Sequence, residues 1–125
     1  MSTPEIHSFE DFWPHYVRAH RNPYNRALHY VGTSCAVGCV AAGVATLNPW
    51  WFVAAPIVGY GPAWIGHYLI EGNRPATFGH PVYSLRGDFK MLGLALRGQM
   101  AAEVDRHAVT ADTAPAPTEA ASRQA

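Results

Sequence analysis

The sequence predicts an all-α fold: a small membrane protein built on a transmembrane helical hairpin with a kinked second segment, flanked by N- and C-terminal helices. Three observations carry this expectation. No Asp, Glu, Lys or Arg occurs from residue 27 to residue 70, whereas both flanks are ordinarily polar. Of the 125 residues, 49% are hydrophobic and only 14% charged, well short of the usual quarter. The uncharged run is divided by "NPWW", residues 48–51, which reads as a tight turn between two apolar segments.

Each element has a local reason. In "SFED", Ser8 to Asp11, a hydroxyl and a carboxylate can satisfy free amides at a helix start. Pro14 is tolerable in the early turns of that helix, which is expected to run to about His20. The "RNP" that follows forces a break, because the residue before a proline is pushed out of helical backbone. Asn22 can then cap a second helix beginning at Pro23. That helix runs into the apolar stretch 31–47, near the lower limit for crossing a hydrocarbon core of about 30 Å. Ser34, Gly38 and Ala42 recur every four residues within it and read as a packing stripe.

Asn48 and Pro49 suit the cap and first turn of the returning segment, and Trp50 and Trp51 suit a membrane interface. Pro56 and the "GYGP" of residues 59–62 should kink or break that segment. Whether residues 50–70 span or re-enter stays open at this point. Arg18, Arg21 and Arg26 precede the hairpin, and Arg74, Arg86 and Lys90 follow it, so both ends of an integral hairpin are expected on the cytoplasmic side. A loop over residues 72–88 and a last helix over residues 89–107 complete one helical membrane domain, residues 1–107. Residues 108–125, rich in Ala, Thr and Pro, read as a disordered tail.

Composition also excludes functions. A net charge of zero with no Lys/Arg block gives a nucleic acid nothing to grip. The acidic N-terminus lacks the basic and apolar regions of a signal peptide, so the apolar segments are expected to remain in the mature chain. Cys35 and Cys39 read as small packing residues rather than a disulfide or metal pair.

The chemistry gathers at the open end of the hairpin. His67 and Glu71 are four apart and share one helical face. They can hold a metal together, or form a hydrogen bond that settles two polar groups near lipid. On one unbroken helix His20 and His29 would point apart; the Asn-Pro break removes that constraint. Because the hairpin returns, His20, His29, His67 and Glu71 fall at one membrane face, with His80 in the loop just after. Several imidazoles and one carboxylate with open positions suit non-haem ferrous iron, and a cluster without cysteine does not suit structural zinc. His7 and His107 read as surface residues. Arg26 and Arg74 can each grip a substrate carboxylate or serve as interface anchors.

Taken together, "FWPHYVRAHRNPYNRALHYVGT", "YGPAWIGHYLIEGNRPATF" and "HPVYSLRGDFKM" make residues 9 to 100 resemble the 2-hydroxy fatty acid dioxygenases, a family whose yeast members act in converting phytosphingosine to odd-numbered fatty acids. The resemblance implies a small multi-helix membrane enzyme of lipid metabolism. It would bind Fe(2+) and use dioxygen to shorten a long-chain 2-hydroxy fatty acid by one carbon, an α-oxidation without an organic cosubstrate. Carried over by position, it implies His20, His29 and His67 as iron ligands and catalytic residues. Glu71 and His80 are further metal candidates, and Arg26 and Arg74 candidates for binding the lipid substrate. The other reading is a non-catalytic membrane protein whose His/Glu cluster only ties helix ends together. Oligomeric state, chain length and stereochemistry are not legible.

Overall fold

A computed structural model of the chain describes residues 6–113, with side chains as far as residue 107. The order is α1 (Phe9–Arg18), α2 (Pro23–Thr46), α3 (Trp50–Ile65), a π-helix (Gly66–Glu71), a 3₁₀ turn (Ala76–Phe78), α4 (Pro81–Leu96) and α5 (Met100–Thr113). No strand occurs among the described residues, so the all-α class stands.

The caps follow the sequence. Ser8 accepts the Asp11 amide at the start of α1, and Asn22 accepts the Tyr24 amide at 2.9 Å with Pro23 in the first turn of α2. Asn48 accepts the Trp50 amide at 3.1 Å where α3 begins. Leu47 takes a left-handed φ of 54°, which turns the chain back between α2 and α3.

Three details differ from expectation. The close approach of α2 and α3 is made by Gly32, Ala36 and Gly43, not by Ser34, Gly38 and Ala42. A Cβ on Gly32 would stand 2.6 Å from the Gly59 carbonyl and one on Gly43 2.9 Å from the Phe52 ring, while one on Gly38 would meet nothing. Either set is a stripe of small residues, but only the first looks towards Gly59 and Phe52. The single C-terminal helix is in fact two: α4 starts early, on Pro81, whose fixed φ suits a first turn. It stops before Gly98, whose φ of 71° breaks the run and lets α5 turn back. Finally, α5 continues to Thr113, past the expected tail boundary at residue 107; residues 114–125 lie outside the described residues.

The apolar core lies outside the hairpin. Phe9, Phe12, Trp13, Tyr16 and Val17 of α1 pack on Met91 of α4 and on Met100 and Val104 of α5. Trp13 Nε1 donates to Glu103 Oε1 at 2.7 Å, fixing α5 across the end of α1. The hairpin instead turns apolar side chains outward: Val44 is 64% exposed, Leu47 86% and Trp50 73%. Among the described residues, one helix, Pro23–Thr46, is long and apolar enough to cross a membrane. The α-helical part of the returning segment is 16 residues, extended by the 6 residues of the π-helix.

Candidate metal centre

Three histidines close on one point at the open end of the hairpin. His20 arrives from the turn after α1, His29 from the second turn of α2 and His67 from the π-helix. All three are buried. One nitrogen from each lies within 4.8 Å of the others. The ring centroids are 4.4, 4.5 and 4.9 Å apart, and the planes cross at 81°, 79° and 89°. Three mutually perpendicular rings form a cradle, not a stack.

The outward nitrogens fix the tautomers. His20 Nδ1 lies 2.6 Å from the Tyr16 carbonyl, His29 Nδ1 2.8 Å from the Asn25 carbonyl, and His67 Nδ1 2.7 Å from Asn73 Oδ1. A carbonyl oxygen only accepts, so each Nδ1 must carry the proton. Each Nε2 is then a bare lone pair. His20 Nε2 and His29 Nε2 nevertheless approach to 3.0 Å, a separation at which two lone pairs repel unless a cation or proton sits between them. Burial, and then the neighbouring His29 and His67, hold His20 well below the ordinary histidine range, so it stays neutral near pH 7. Neutral imidazoles whose rear N–H groups are held by acceptors are what a divalent transition ion requires. The donor set fits such an ion.

The local sequence explains each position. His20 and His29 both bond the carbonyl four residues back, which orients the rings along their own segments. The Tyr16 ring stacks on His20 at 4.0 Å. Gly66 precedes His67 because a Cβ there would collide with the buried Asn25 side chain and backbone. The π-helix widens the turn that carries His67, as such insertions often do at functional sites. Asn73 then reaches back: its Nδ2 donates to the Ala19 carbonyl at 3.0 Å while its Oδ1 receives His67 Nδ1. One amide thus joins the returning segment to the end of α1.

The other candidate residues lie elsewhere. Glu71 is not in the three-nitrogen group; its carboxylate accepts the Asn22 amide and, at 3.4 Å, Asn25 Nδ2, so it ties the π-helix to the start of α2. His80 is also outside the group. It precedes α4 and packs its ring against Phe12, at 5.6 Å, and Tyr83. Arg26 donates to the His20 and Arg21 carbonyls at 2.9 and 2.8 Å, clamping the turn that carries His20. Arg74 is exposed, its guanidinium 4.8 Å from the Phe78 ring centre. His107 is half-buried and bonds Glu103 at 3.1 Å, whereas His7 is exposed. Cys35 and Cys39 are free thiols.

Asn73 and Tyr16 contact the histidine cluster directly, and the sequence does not single them out. An i−4 spacing from His20 could have pointed to the Tyr16 carbonyl. Asn73 follows a Gly in left-handed backbone, Gly72 at φ 71°, and nothing in the sequence alone says that this turn aims the amide at His67.

No curated protein and no solved structure matches the chain. A family model does, over residues 6–100, a span that holds all three histidines with Tyr16, Asn25 and Asn73. The chain belongs to the 2-hydroxy-palmitic acid dioxygenase Mpo1-like family.

Proposed function

We propose that the protein is an iron-dependent membrane dioxygenase that uses O2 to shorten long-chain 2-hydroxy fatty acids by one carbon. The observation that carries this reading is the convergence of three deprotonated Nε2 atoms, each backed by an Nδ1 donor bond. The family name supports the substrate class.

The reaction balances without a cosubstrate. R–CH(OH)–COOH plus O2 gives R–COOH, CO2 and H2O, with the bond between C1 and C2 broken. Four electrons leave the substrate and four are taken up by O2. A ferrous ion held by His20, His29 and His67 would supply the redox chemistry and the open positions for O2 and substrate.

The chain's own residues do the rest. Three neutral imidazoles leave both positive charges of a divalent ion uncompensated, and the Glu71 carboxylate is engaged at the start of α2. An anionic ligand is therefore favoured there, and a 2-hydroxy carboxylate supplies one together with a neighbouring hydroxyl. Asn73, the Asn25 carbonyl and the Tyr16 carbonyl keep the three rings from rotating. Burial of the rings excludes bulk water. The outward Val, Leu and Trp side chains of the hairpin support an integral membrane location, where such a substrate is found.

The test is purification in detergent, measurement of bound metals, and O2 uptake with 2-hydroxypalmitate. About one iron per chain, with pentadecanoate and CO2 formed together, is the expected result. A chain that binds no stoichiometric metal would leave the histidines a structural tie instead.

A further inference from the structure

The mechanism leaves unused a cavity of about 220 Å³ between α2, α3 and α4. Thr33 and Ala36 of α2, Gly59 of α3, and Leu85, Asp88 and Phe89 of α4 line it. Small residues help make the space: Ala36 and Gly59 meet closely, a Cβ on Gly59 lying 3.3 Å from that of Ala36, while Pro56 and Tyr60 of α3 complete its wall. Its walls are mainly apolar, which suits an apolar guest.

The cavity lies close to the metal centre, as two sets of contacts show. Thr33 is one helical turn beyond His29 on α2, a rise of about 6 Å. Across the bundle, Asp88 accepts the Tyr16 hydroxyl, and the Tyr16 ring stacks on His20. On the outer side, Leu85 and Phe89 are each about half exposed, so the wall they form borders the surroundings of the hairpin.

We propose that this cavity seats the alkyl chain of the substrate, and that Leu85 and Phe89 on α4 set which chain lengths are accepted. The inference rests on the function proposed above. A carboxylate and hydroxyl held at the histidines leave the remaining carbons to run past Thr33 and Ala36 and to leave between Leu85 and Phe89. The Asp88 carboxyl accepts the Tyr16 hydroxyl, so one polar group on this wall is already partnered.

Two experiments test the proposal. The first measures KM for 2-hydroxy acids of eight to eighteen carbons with iron-loaded wild type, Leu85→Trp and Phe89→Ala. Filling the cavity should raise KM for the longest acids on the order of tenfold and move the optimum to shorter chains; opening it should move the optimum the other way. Iron content should match wild type. Unchanged chain-length profiles in both variants, at full iron content, would overturn the proposal and leave the dioxygenase reading intact.

The second experiment does not need turnover. In a Cys35→Ala, Cys39→Ala background, the thiol of Leu85→Cys should react with N-ethylmaleimide several-fold more slowly when palmitate is added, and no more slowly with acetate. Equal rates with and without palmitate would sink the cavity assignment. Protection in a protein that turns over no 2-hydroxy acid would support a chain-binding cavity while removing the proposed reaction.

Discussion

The two ends of the hairpin invert each other. At the open end, polar side chains are buried: His20, Asn25, His29 and His67 are each at most 3% exposed. At the closed end, Val40, Val44, Leu47, Trp50 and Phe52 are largely exposed. Buried polar groups are costly unless each finds a partner, and an exposed apolar patch marks a surface meant for something other than water. The closed end is suited to lipid, and the open end to a charge brought in from outside. On the proposed function, the partners are lipid at the closed end and a metal ion at the open end.

The sharpest way to break that contrast is to remove a ligand. His67→Ala should abolish stoichiometric iron and lower turnover by at least about a hundredfold, more than loss of a supporting partner costs. Val44→Thr at the closed end should leave iron content and turnover unchanged. Equal iron in the two variants, by elemental analysis, would mean that the histidines do not hold the metal.

A partner behind a ligand should cost less. Asn73→Ala frees His67 Nδ1 and the Ala19 carbonyl together. Iron affinity should fall about 10- to 100-fold, with helix content unchanged. An affinity within twofold of wild type, from a chelator titration, would show that the ring is oriented by packing alone.

Gly66→Ala acts on packing at the same end. The new Cβ meets the Asn25 side chain and backbone, and Asn25 is fully buried, so nothing there can give way cheaply. A loss of about 3 kcal/mol is expected. Gly38→Ala, in open space on α2, should be neutral or slightly stabilising. Thermal unfolding in detergent separates them, and equal midpoints would refute the close approach.

Much of this architecture is legible in the sequence, for identifiable reasons. Caps and breaks are local: Ser8, Asn22 and Pro23 act within a few residues of themselves, so a short window reveals them. The uncharged run and its central turn announce the hairpin. What joins distant segments is not legible. Nothing near Glu71 says that it bonds the Asn22 amide, nor near Asn73 that its amide links His67 to Ala19. The packing stripe failed for a related reason: small residues recur at helical spacing in both sets, and only the position of α3 selects Gly32 and Gly43. Gly98 ends α4 through one left-handed residue, and a lone glycine inside a helical pattern does not by itself announce a break.

Asp88 stands between the two ends, against the cavity and against Tyr16, and gives the smallest effect. Burial raises its carboxyl from 3.8 to about 6, only partly offset by the Tyr16 hydrogen bond. In the unfolded chain it ionises near its usual value. Between those two values the folded state holds more protons, so its contribution to stability is full below about pH 4, falls as pH rises and stays low above about pH 6. Asp88→Asn keeps an oxygen to accept the Tyr16 hydroxyl but cannot ionise. The variant should match wild type near pH 4 and exceed it at pH 8 by on the order of 1 kcal/mol, since the group is not wholly shielded from solvent. Thermal midpoints across that range measure the difference. A variant less stable than wild type at pH 8 would mean that the ionised carboxylate is held favourably, and that this stretch of α4 is wetter than its burial implies.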